Sequence, residues 1–119
     1  VCVPKAEVPG MLSRIEEIAA KHDTVIANIA HAGDGNLHPL LITEPGDDAA
    51  RERAQAAFAE IIDAALAVGG TVTGEHGVGL LKMPGLEQEQ TGAVIDMQRA
   101  IKRALDPKGI FNPGKVFSA

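Results

Sequence analysis

The chain has 119 residues, with 16 Asp and Glu against 11 Lys and Arg, a formal net charge of −5, 45% hydrophobic and 23% charged residues. This is the composition of one soluble globular domain, with ample aliphatic surface to bury, and it argues against disorder. The charge excludes a strongly basic nucleic-acid binder, and with no Trp, no Tyr and three Phe the chain lacks stacking platforms for bases.

The opening Val1-Cys2-Val3-Pro4 is short, apolar and β-prone, and it carries no Met; it reads as a piece of a longer polypeptide. Cys2 is the single cysteine, so neither an internal disulfide nor a thiolate zinc site can form, which fits a reducing compartment. No basic start leads into an apolar stretch, and no apolar run approaches the ~20 residues that span a bilayer. Pro9 suits the first turn of a helix, where its missing N–H costs nothing. Val8, Met11, Leu12, Ile15, Ile18 and Ala19 then recur at helical spacing until His22-Asp23.

Thr24 to Ala30 reads as a strand. Gly33-Asp34-Gly35 is a turn signal, and Asn36 to Thr43 is the returning strand, with Pro39 at an edge or bulge. After Glu44-Pro45-Gly46, Asp47 or Asp48 can cap a helix running to about Val68, with Phe58, Ile61, Ile62 and Ala65 facing the core. Gly69-Gly70 ends it. Thr71 to Gly74 is a fourth strand, Gly74, Gly77 and Gly79 open a loop, and Leu86 to Leu105 forms a third helix. That helix carries Val94, Met97, Ile101 and Ala104 at three- and four-residue steps, and Gly92 weakens its middle. Asp106-Pro107 stops it before a tail punctuated by Gly and Pro. The order β-α-β-β-α-β, then helix and tail, predicts an α+β fold of the ferredoxin-like kind: an antiparallel four-stranded sheet with two helices on one face.

Two segments carry chemistry. In His31-Ala32-Gly33-Asp34-Gly35-Asn36-Leu37-His38, an Asp34-Gly35 two-residue turn would set His31 directly opposite His38, on one sheet face. Two imidazoles so held can share a metal ion at about 2.0–2.1 Å; the plainer alternative is two strand-end histidines bonded to backbone or water. In Gly74-Glu75-His76-Gly77-Val78-Gly79, Glu75 could complete a two-His, one-carboxylate set with open positions, suited to Zn²⁺, Mn²⁺ or Fe²⁺. His76 would then be free for acid/base work. The spacing of its glycines is not that of a phosphate loop. His22, at a helix C-terminus, is assigned no function.

These two segments, with Asp106-Pro-Lys-Gly-Ile-Phe-Asn-Pro-Gly-Lys115, resemble the C-terminal domain of the FAD-linked oxidases. These are the glycolate oxidase FAD subunits, D-lactate dehydrogenases and D-2-hydroxyglutarate dehydrogenases of the vanillyl-alcohol oxidase type. The resemblance covers most of the chain. It implies the second half of a larger cap domain over an FAD-binding domain that this chain lacks, with FAD held mainly there. It also implies His31, His38 and Glu75 as ligands of a divalent metal, zinc first; His76 as substrate contact and base; and Asn112 near the flavin. Leu40 stands where hydroxyglutarate-type members carry a substrate-binding Asn, which points to a smaller or less polar acid such as glycolate or D-lactate. The substrate carboxylate wants an Arg or Lys partner, expected upstream of residue 1, with Lys82 as a local candidate.

The implied partners are a small 2-hydroxy acid and the FAD-binding domain of the same polypeptide. The fragment alone would be inactive and open to self-association through an uncovered apolar face. The implied location is cytoplasmic, or at a membrane periphery through partner subunits. The competing readings are a ferredoxin-like metal-binding or regulatory module without redox chemistry, and a metal-dependent hydrolase using the same three ligands to activate water.

Overall fold

The computed structural model describes residues 1–117. It is α+β, and it divides into two compact units, Val1–Gly74 and Glu75–Ala119.

The first unit is built on a hairpin. Strands β1 (Val25–His31) and β2 (Asn36–Ile42) pair antiparallel, from Val25 opposite Ile42 to His31 opposite Asn36. The helices α1 (Val8–Lys21) and α2 (Asp48–Ala67) pack against each other and against the hairpin. The spacing in α1 does what it predicts: Val8, Met11, Ile15 and Ile18 are buried. In α2 the buried row is Ala54, Ala57, Ile61, Ile62 and Ala65, while Phe58 is only half-buried. Alanine at 54, 57 and 65 leaves room for the bulky aliphatics of α1. Asp47 caps α2, its Oδ1 accepting the Ala50 N–H at 2.8 Å, which satisfies one of the free donors of the first turn.

The expected first and fourth strands shrink to single bridges. Cys2 pairs antiparallel with Asn36 on one side and with Thr71 on the other. The Cys2 N–H donates to Thr71 O (3.0 Å) and the Thr71 N–H to Cys2 O (2.8 Å), while Leu37 N–H reaches Val1 O (2.9 Å). Thr71 therefore meets the opening residues through a single bridge, and among the described residues the sheet has two strands where four were expected. Val1, Val3 and Val72 are buried there.

The hairpin turn differs from expectation. A two-residue turn at Asp34-Gly35 would pair His31 with His38; instead Ala32–Asp34 form a 3₁₀ turn, and the register sets His31 against Asn36 and Ile29 against His38. Gly35 alone takes the left-handed conformation (φ 75°), and a Cβ there would sit 2.0 Å from Val3 O. The close approach of the opening strand to Gly35, whose carbonyl accepts the Val3 N–H at 2.9 Å, accompanies the longer turn.

In the second unit the single helix expected over Leu86 to Leu105 is two: α3 (Met83–Glu89) and α4 (Gly92–Leu105). Gln90 and Thr91 are extended between them, so Gly92 begins a helix rather than weakening one. Ile95 is buried, whereas Met97, Ile101 and Leu105 are exposed. After α4 the Asp106 carboxylate gathers the tail, accepting the N–H groups of Ile110 and Phe111 (3.0 Å each) and the Lys102 ammonium. These donors hold the Asp106 carboxyl below the usual carboxylate range, the Lys102 hydrogen bond foremost. The tail then returns, with the Val116 N–H donating to Gly79 O at 2.8 Å.

Candidate functional site

The register decides how the two hairpin histidines meet. His31 faces Asn36 across the ladder, and His38 lies two residues further along β2, so both side chains stand on the same face as diagonal neighbours. Diagonal partners are within reach of ring side chains, and the imidazoles meet edge to face, with centroids 5.4 Å apart and planes at 88°. The pair is brought together, though not by the direct opposition that a two-residue turn would give. His31 is exposed and His38 half-buried.

On that face Asn36 stands opposite His31 and two residues before His38, and it is only 7% exposed. Its carboxamide lies against Gly74: a Cβ on Gly74 would fall 2.4 Å from Asn36 Oδ1 and 2.7 Å from its Cγ. Gly74 is required here by close approach rather than by a positive φ. Glu75 is the next residue along the chain, so its backbone starts from a peptide held beside the histidine pair. His31, His38 and Glu75 each offer one donor atom, and these atoms all lie within 4.8 Å of one another. Two imidazole nitrogens and one carboxylate oxygen suit a borderline divalent cation such as zinc, and leave coordination positions for water or substrate.

His76 is exposed, its Nε2 standing 3.5 Å from a Glu75 carboxylate oxygen. Of the other expected site residues, Lys82 begins the turn into α3, where burial lowers its ammonium pKa. Asn112 is exposed with φ 46°, a conformation Asn tolerates better than most residues, and its carbonyl accepts the Lys115 N–H at 3.2 Å. Leu40 is 48% exposed, on the same face as His38 and two residues beyond it.

Asn36 is the residue that motif reading passed over. Its Oδ1 is buried with no hydrogen-bond partner, and so is Thr73 Oγ1, one residue before Gly74. Leaving such a group bare costs about 1–3 kcal/mol. The available signal was its position, as the polar residue between Gly35 and the apolar start of a strand. An open groove of about 530 Å³ between α1 and α2 is lined by Met11, Arg14, Glu60 and Asp63 among others. It is bridged by the Arg14–Glu60 ion pair at 3.3 Å, and among the described residues no histidine lines it.

Residues 1–116 match the family described as FAD linked oxidases, C-terminal domain; this chain belongs to that family. It is 48% identical over 116 residues to the glycolate oxidase subunit GlcD of Bacillus subtilis, covering 98% of this chain and 25% of that protein. It is 38% identical over 116 residues to a mitochondrial D-lactate dehydrogenase [cytochrome] of Arabidopsis thaliana, covering 98% of this chain and 20% of that protein. Against a D-2-hydroxyglutarate dehydrogenase of Stutzerimonas stutzeri it is 33% identical over 123 residues, covering 100% of this chain and 26% of that protein. The chain thus spans between 20% and 26% of the length of these curated relatives. Among the described residues, no helix is long and apolar enough to cross a membrane.

Proposed function

We propose that this chain is the second half of the C-terminal domain of a flavin-dependent oxidoreductase that converts a small 2-hydroxy acid, of the glycolate or D-lactate kind, into the 2-oxo acid. In this reading His31, His38 and Glu75 hold a divalent cation, His76 is the base, Asn112 lies on the flavin side, and Lys82 is a local candidate for the substrate carboxylate, whose main partner is expected upstream of residue 1. The carrying observation is the edge-to-face histidine pair with the Glu75 carboxylate in a chain of this family. The bridges from Thr71 through Cys2 to β2 support a ferredoxin-like strand order behind it.

Oxidising a 2-hydroxy acid removes a proton from the hydroxyl oxygen and a hydride from the carbon that bears it. A divalent cation bound by this donor set would supply Lewis-acid polarisation of the hydroxyl, and FAD, bound mainly by another domain of the same polypeptide, would supply the hydride acceptor. The residues here do the rest. His76 accepts the hydroxyl proton at a ring nitrogen, and Glu75, 3.5 Å from its Nε2, orients the ring. Leu40 and Ile29 make the sheet face beside His38 apolar. A second carboxylate would lose its hydration there without gaining a partner, which favours a monocarboxylate.

The test is made in the whole polypeptide that carries this domain. His76→Ala should lower turnover of D-lactate or glycolate by about 100-fold or more while bound metal is retained. His38→Ala should lose metal and activity together. A whole polypeptide without flavin, or unchanged turnover in His76→Ala, would overturn the reading.

A further inference from the structure

We propose that Asn36 is a positioning residue of the donor set, its carboxamide fixing the Gly74-Glu75 peptide beside His31 and His38 and offering a buried acceptor that is used once the ion is in place. The proposal rests on the metal-site reading above. Three observations carry it. Asn36 stands directly opposite His31 and two residues before His38, on their face of the hairpin. Its side chain packs so closely on Gly74 that a Cβ there would fall 2.4 Å from Oδ1 and force the carboxamide to move, and Gly74 is bonded to Glu75. Its Oδ1 is more than nine-tenths buried and has no partner.

A spacer would explain the packing alone. A Leu at 36 would fill similar volume with no bare acceptor. The amide becomes intelligible where metal-binding imidazoles must each present one nitrogen to the ion and donate the N–H of the other; the acceptor of that N–H selects the tautomer and holds the ring. Oδ1 is a buried acceptor on the hairpin face that carries both rings, and the packing of the carboxamide on Gly74 also fixes the peptide that leads to the third ligand.

The experiment uses the full 119-residue chain titrated with Co²⁺, whose d–d spectrum reports ligand geometry. The unmodified chain should bind one ion and His38→Ala none. Asn36→Ala should bind about 10- to 100-fold more weakly, with altered bands. The double variant Asn36→Ala/Gly74→Ala, in which the new methyl enters the vacated space, should be folded by circular dichroism yet stay weak. In the unmodified chain labelled with ¹⁵N, the Asn36 carboxamide signals should shift at one equivalent of Zn²⁺. Double-variant affinity equal to that of the unmodified chain, or Asn36 signals that stay still while the histidine ring signals move, would overturn the role of Asn36 and leave the metal site standing. An unmodified chain that takes up no ion would overturn both.

Discussion

α1 and α4 are each 14 residues long, and each carries an apolar stripe at helical spacing. α1 buries its stripe: Met11, Ile15 and Ile18 are at most 3% exposed. α4 shows its stripe to solvent: Met97, Ile101 and Leu105 are between 53% and 77% exposed, and only Ile95 is buried. Periodicity states which face of a helix gains by leaving water; it does not state whether this chain supplies the cover. For α1 the cover is α2 and the hairpin, both within the same unit.

The largest test of this contrast compares two truncations of one residue type. Ile15→Ala, at a fully buried position, should cost about 3 kcal/mol in denaturant unfolding. Ile101→Ala, on the exposed stripe, should stay within about 0.5 kcal/mol. Equal losses would mean that α4 is covered in solution. Next in size is the α2 cap: Asp47→Ala should cost about 1 kcal/mol, because it frees the Ala50 N–H. In the second unit, Asp106→Asn should speed amide exchange at Ile110 and Phe111 while leaving the exchange of the α1 amides unchanged, since both N–H groups end on that carboxylate.

The smallest expected effect sharpens the same comparison on the surface of the α1–α2 layer. Glu60 on α2 accepts hydrogen bonds from Lys21 at 2.8 Å, His22 at 2.8 Å and Arg14 at 3.3 Å. The hydrogen bond from Lys21, then that from His22, pulls its carboxyl from the ordinary 4.5 to about 2. A carboxylate with a depressed folded pKa adds stability above the unfolded value, and that stability is lost as pH falls through the folded one. Acid titration should therefore show a loss between pH 4.5 and about 2 that is flattened in Glu60→Gln. An identical acid limb in both proteins would remove Glu60 from the account.

Where neighbours in sequence decided the structure, the sequence could be read. The α1 stripe, the Asp47 cap, the stop at Gly69-Gly70 and the existence of the hairpin all depend on residues a few positions apart. The reading failed where a distant segment decided. The turn at 32–35 is bound to the opening strand through Gly35 and Val3, so local Asp-Gly chemistry gave the wrong register. The break between α3 and α4 falls at Gln90-Thr91, which carries neither Pro nor Gly to mark it. At the site, the residue types and their grouping were legible in two short motifs. The diagonal contact of His31 with His38, and the bare amide of Asn36 against Gly74, are products of register and packing that spacing could not express.

The central claim is that His31, His38 and Glu75 form one ion site, and zinc-edge X-ray absorption on the zinc-loaded chain tests it most directly. The account predicts one zinc per chain, with two imidazole nitrogens and at least one oxygen at about 2.0–2.1 Å, and one imidazole fewer in His38→Ala. A zinc shell of water oxygens alone, or one that His38→Ala leaves unchanged, would contradict it.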